Sequence, residues 1–221
     1  MSTSRKNGSC CGKFRSYESI FSKKYSFHIF CGMMMMVFQQ FCGINAINAN
    51  LTTILENSGL RIDANLKSVI STVAQWLAIF IFSFIIDACG RKALWIVSSI
   101  GLFIGLVMFS IGLKLEIDGW YPALCVFIIQ LFFGFGLGPI PWFIGLEMFP
   151  KEVKIMGQAL ITFAAMIATF AVVFFFPLMQ EELGYLIEIV IFGCITFLSF
   201  IFGFWCVPNP NDYYGEGITV L

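Results

Sequence analysis

The chain has 221 residues, 59% of them hydrophobic and only 12% charged, and its 13 basic and 13 acidic residues cancel. A mean hydropathy of +0.88 exceeds what a soluble domain of this size carries. A net charge of zero excludes a bulk electrostatic pull toward nucleic acid, and no basic patch supports one.

The charges cluster and leave six uncharged windows: Tyr25–Leu55, Ser68–Ile86, Ala93–Leu113, Gly119–Leu146, Ile155–Gln180 and Ile189–Asn211. Each supplies about the 20 residues that cross a bilayer core. The expected fold is therefore an all-α membrane protein with six transmembrane helices near 27–52, 68–87, 93–113, 121–146, 155–179 and 185–207. A basic tail, 1–24, precedes the six-helix domain 25–207, and a second tail, 208–221, follows it. Ten basic residues fall on one side, among them Arg5, Lys6, Arg91, Lys92, Lys151 and Lys154, against Arg61, Lys67 and Lys114 on the other. The positive-inside rule then puts both termini in the cytoplasm of a multi-pass protein, and the plasma membrane is the expected location. The first twenty residues are polar and carry no cleavable signal, so the first helix is expected to act as the targeting signal.

The first predicted helix carries QQFCGINAINAN, residues 39–50. Gln39, Gln40, Asn45, Asn48 and Asn50 are carboxamides within an apolar span, and each must face protein, water or ligand. At roughly 100° per residue no single stripe holds them all. Either protein surrounds this helix, or it breaks near Gly43 and redirects its second half. Carboxamides offer donors and acceptors to hydroxyls without a charge to desolvate, which suits a sugar. The competing reading is interhelical glue. Gln75, midway along the second helix, is open to the same two readings.

The second helix ends in Asp87-Ala-Cys-Gly90-Arg91-Lys92, where Gly90 allows a tight turn. The fourth runs through GLGPIPWFIGLEMFP, residues 136–150. Pro139 and Pro141 each remove a donor and crowd the preceding turn, which marks a bend lining a cavity or a merely kinked helix. Trp142 stands beside them and Glu147 just beyond. Glu147, Lys151, Glu152 and Lys154 share the cytoplasmic side with Asp87 and Arg91, so ion pairs there can latch helix ends together; an ordinary charge belt is the alternative.

The eight cysteines show neither a disulfide framework nor metal-ligand spacing, and His28 is the lone histidine. No catalytic Ser/His/Asp or Cys/His set is expected, and neither cofactor nor metal is implied.

Gln39-Gln40 followed by Gly43-Ile44-Asn45-Ala46, then DxxGRK, then GPIPW with Glu147 and Phe149-Pro150, resemble the sugar-porter branch of the major facilitator superfamily, and facilitative hexose transporters in particular. The resemblance covers about residues 17–208 and fits the family's second half, its seventh to twelfth helices, with an inverted three-plus-three repeat. It implies that Gln39, Gln40, Asn45, Gln75 and Trp142 contact the sugar. It makes Gly43, Asn50, Pro139 and Pro141 gating positions, and places Asp87, Gly90, Arg91, Lys92, Glu147 and Lys154 in a cytoplasmic ion-pair network. It departs at Ala49-Asn50, where the family has a tyrosine pair, at Gly134, where an acid is common, and at Ala165, Met166 and Thr169, where polar and aromatic residues face the sugar. A half-length chain is expected to complete its cavity as a parallel homodimer or with a separate N-terminal half, or else to be a truncated transporter. The expected function is passive sugar transport by alternating access; the alternative is a non-transporting sugar sensor or a regulatory subunit of a full-length transporter.

Overall fold

The computed structural model describes residues 23–51, 54, 63–117, 119–150 and 153–207. Both tails, Arg61 and Lys151-Glu152 lie outside the described residues, and so does the side chain of Asp87. Regular structure among the described residues is entirely helical. In chain order it comprises α1 (Lys23–Phe41), α2 (Ile44–Ala49), α3 (Ala64–Cys89), α4 (Arg91–Lys114), α5 (Trp120–Phe132), a π turn (Phe133–Leu137), α6 (Ile140–Glu147), α7 (Lys154–Leu183) and α8 (Tyr185–Cys206).

Among the described residues five spans are long and apolar enough to cross a membrane: Tyr25–Ala49, Arg91–Lys114, Trp120–Glu147, Lys154–Leu183 and Tyr185–Cys206. The expected second crossing falls in α3, whose apolar stretch is the shorter Thr72–Ile86. α4 packs along α8 and α5, α1 along α7, and α3 against α5 and the π turn. Single residues, Gly90 and Gly184, join α3 to α4 and α7 to α8.

Two spans are interrupted, each for a residue-level reason. Gly43 separates α1 from α2 with φ 83°, a left-handed conformation that side chains disfavour. A Cβ there would also stand 2.7 Å from the Phe192 ring. Of the two readings of the carboxamide cluster, the break is the one the chain adopts.

The second interruption is the π turn before the paired prolines. The Gly138 N–H reaches back five residues to the Phe133 carbonyl at 2.9 Å, so the local helix is widened and underwound to take one extra residue. Ser98 of α4 makes this tolerable. Its buried hydroxyl donates to the Phe132 carbonyl at 2.6 Å and accepts from the Leu137 N–H at 2.8 Å. Glycine lets the π turn lie close to its neighbours: a Cβ on Gly134 would stand 2.6 Å from the Gln75 carbonyl, and one on Gly136 2.7 Å from that of Leu94. The acid common at the position of Gly134 has no room here.

Ser98→Ala removes a donor and an acceptor from buried backbone, and should destabilise the protein by about 1–2 kcal/mol. Thermal melting in detergent checks this. Ser110→Ala is the control: among the described residues the Ser110 hydroxyl bonds the Leu106 carbonyl of its own helix alone, so the midpoint should stay nearly unmoved.

Candidate functional site

The break at Gly43 and the prolines of α6 meet. Pro139 and Pro141 are both buried. Pro141 has no N–H, and the Trp142 N–H turns to the Pro139 carbonyl at 3.2 Å, so the Gly138 carbonyl has no helical donor. Gln39, 5% exposed, supplies one: its Nε2 donates to the Gly138 oxygen. Its Oε1 is buried and accepts no hydrogen bond among the described residues. One amide of the first span is thereby tied to the residue that opens the proline segment, with an acceptor to spare.

Gln40 and Asn45 are brought together across the break, Asn45 Nδ2 donating to Gln40 Oε1 at 2.9 Å. Asn50 ends α2, its Nδ2 3.4 Å from the Ala46 carbonyl. With Phe109, Tyr121, Gln180 and Tyr185 it lines a cavity of about 530 Å³ at the far end of the bundle from Arg91. Gln75 is half-buried and Trp142 is 39% exposed on α6. Among the described residues no side-chain hydrogen bond joins either to the Gln39 group.

At the other end, Arg91 and Glu147 meet in a two-pronged pair, Nε to Oε2 at 3.0 Å and Nη2 to Oε1 at 2.9 Å. The fork ties the start of α4 to the end of α6, which matches guanidinium to carboxylate geometry. Gly90, at φ 79°, turns the chain immediately before it. The Lys92 ammonium lies 5.7 Å from the centroid of the Phe204 ring on α8. Lys154 opens α7, half-buried, with its backbone N–H on the Pro150 carbonyl at 3.0 Å.

Three polar residues at the centre of the packing escaped the sequence reading. Ser98 is one. Gln130 is fully buried on α5 and donates through Nε2 to Asn48 Oδ1; a lone amide in the fourth apolar window was its signal. Glu188 is also fully buried, and neither of its carboxyl oxygens accepts a hydrogen bond among the described residues. It borders the sixth uncharged window and so looks like a flanking charge, although the expected helix 185–207 and α8 both hold it in their first turn.

The Arg91 and Glu147 side chains are 16% and 42% exposed, so solvent screens the pair and its stabilisation should stay below about 1 kcal/mol. Arg91→Gln and Glu147→Gln should each lower the melting midpoint slightly. The double variant should fall no further than the worse single, and the charge swap Arg91→Glu with Glu147→Arg should regain part of the coupling. Additive losses would show that the fork contributes nothing.

Relatives share this helical framework. The family described as Sugar (and other) transporter matches residues 2–218. The facilitated trehalose transporter Tret1 of Apis mellifera ligustica is 31% identical over 198 residues, 87% of this chain and 39% of that protein. The sugar transporter ERD6-like 1 of Arabidopsis thaliana is 30% identical over 208 residues, 91% of this chain and 44% of that protein. Among solved structures, a D-xylose–proton symporter superposes with TM-score 0.74 at 24% identity, covering 89% of this chain and 47% of that one. The inward-open xylose transporter XylE from E. coli gives 0.75 at 24%, covering 92% and 42%. At those identities the likeness to the solved structures is one of fold, and the chain spans less than half the length of each of these relatives. With a family match that runs almost end to end over a multi-pass bundle, the chain belongs to the sugar transporter family of the major facilitator superfamily.

Proposed function

We propose that this chain provides the substrate-facing C-terminal half of a sugar transporter, and that it moves a hexose or related sugar passively by alternating access. The observation that carries the reading is the tie from Gln39 to the Gly138 carbonyl. It joins a carboxamide able to read hydroxyls to the proline segment that must bend, so sugar contact and gate movement share one hydrogen bond. The unused Gln39 Oε1 is the acceptor offered to a sugar hydroxyl. Gln40, Asn45, Gln75 and Trp142 complete the sugar contacts, and Gly43, Asn50, Pro139 and Pro141 the gates. Asp87, Gly90, Arg91, Lys92, Glu147 and Lys154 form the ion-pair network that opens and closes the opposite end.

In this reading α3 makes the sixth crossing, since its 26 residues extend about 39 Å at 1.5 Å per residue. The six crossings of residues 25–207 then form an inverted three-plus-three repeat. The bias of basic residues supports cytoplasmic tails, and the plasma membrane is the location proposed with them. The second wall of the cavity comes from a parallel homodimer or a separate N-terminal half. A trehalose-sized sugar belongs among the substrates tested, because relatives carry that name.

A second reading, a sugar sensor or regulatory subunit that does not transport, is favoured by one wall. On α7 the Thr169 hydroxyl is taken by the Ala165 carbonyl at 2.8 Å, and Met166 is exposed, so that wall offers a sugar little polarity.

Uptake of radiolabelled glucose, xylose and trehalose into liposomes holding only the purified chain decides between them, with oligomeric state measured in the same preparation. Saturable uptake is expected, and Trp142→Ala should weaken apparent affinity about tenfold, or roughly 1.4 kcal/mol. Sugar binding without uptake would support the sensor or a missing partner half. Absence of both binding and uptake would overturn the sugar reading.

A further inference from the structure

The first and fourth spans run antiparallel and are joined by carboxamides at two levels. At the inner level Gln39 holds the Gly138 carbonyl. Asn48 lies nine residues beyond Gln39 and Gln130 eight before Gly138, so the second join, Gln130 Nε2 to Asn48 Oδ1, stands roughly 12 Å further along at 1.5 Å per residue. We infer that this outer pair is a latch that positions α2 against α5, and that its opening lets the broken half of the first span move during the transport cycle.

α2 has six residues and is severed from α1 by the left-handed Gly43, so the helix ladder of α1 does not hold it in place. Among the described residues, the bond to Gln130 is the one side-chain hydrogen bond that links α2 to an element outside its own span. The two ends of the pair also differ. Gln130 is fully buried among Val126 and Ile129, and its Oε1 already lacks a hydrogen bond. Losing Asn48 would leave the whole carboxamide unmet in an apolar interior, which is strongly unfavourable. Asn48, by contrast, is exposed, so its own amide can turn to water or a ligand hydroxyl. A bond anchored in the core at one end and exchangeable at the other has two discrete arrangements, made or replaced, rather than a graded loosening. Gln130 is thus a positioning residue: it acts on the sugar contacts through α2.

The inference rests on the transport reading for its role in the cycle, but its physical content is tested without sugar. Hydrogen–deuterium exchange of the full chain in lipid nanodiscs is followed on peptides covering 44–50, with peptides in α7 as the reference. Gln130→Leu and Asn48→Ala should each speed exchange in 44–50 about threefold to fivefold, as expected for loss of one interhelical hydrogen bond. The α7 peptides should be unchanged, while the melting midpoint should fall for Asn48→Ala, which strands the Gln130 amide. Exchanging the partners, Asn48→Gln with Gln130→Asn, should restore slow exchange, which a purely steric role would not produce. Asn48→Ala, on the exposed side, remains the decisive variant if Gln130→Leu folds poorly. Unchanged exchange at 44–50 in Asn48→Ala overturns the latch, whatever the uptake assay gives. Faster exchange with no sugar uptake or binding keeps the latch and discards the sugar reading.

Discussion

In hydrocarbon a backbone amide or carbonyl without a partner has no water to turn to, so every break in a membrane helix must be met by other protein groups. This chain breaks two of its spans, and the groups that meet those breaks organise the bundle. The π turn relies on the Ser98 hydroxyl for two backbone groups. The proline segment relies on Gln39 for the Gly138 carbonyl. Because these polar side chains come from different helices, each repair is also a joint, and the position of α4 or α1 is set by the irregularity it mends. Stability and bending are therefore not separable at these positions.

The spans were legible because their signal is long and one-dimensional: apolar runs bounded by charges survive any choice of neighbours. The break at Gly43 was legible as one of two outcomes, since carboxamides all round a helix cannot share a stripe. Which partner each carboxamide takes was not legible. Periodicity gives the face a residue occupies, whereas the Gln39–Gly138 and Gln130–Asn48 pairs depend on the register between antiparallel spans. The Gln40–Asn45 pair, five residues apart, arises only because the helix is interrupted between them. Ser98 was hidden for a different reason. A serine inside an apolar helix usually bonds its own preceding turn, as Ser110 does, and only the adjacent π turn gives Ser98 other work. Glu188 was obscured because it borders the sixth uncharged window, although the expected helix 185–207 already contained it.

Polarity is distributed unevenly across the bundle. The first and fourth spans hold most of the buried carboxamides, and two of these, Gln39 and Gln130, keep an acceptor unused. Natural interiors seldom tolerate such atoms, and they concentrate where function demands them. α7 lies at the other extreme, exposing Phe163, Met166, Ile167, Phe170, Val173 and Phe174.

The one-residue links at Gly90 and Gly184 have a consequence for biogenesis. Each reverses the chain through a single residue, while the helices it joins pack mainly against other elements, so the turn alone fixes their order along the chain. The tips of these turns differ in sign. Gly90 is followed by Arg91 and Lys92, whereas Gly184 is preceded by exposed Glu181 and Glu182. Basic tips resist translocation and acidic ones contribute little to orientation, so in the proposed topology the Gly90 tip is the one that fixes direction. In that topology two basic residues beside one glycine set the direction of the α3–α4 turn before any long-range packing exists.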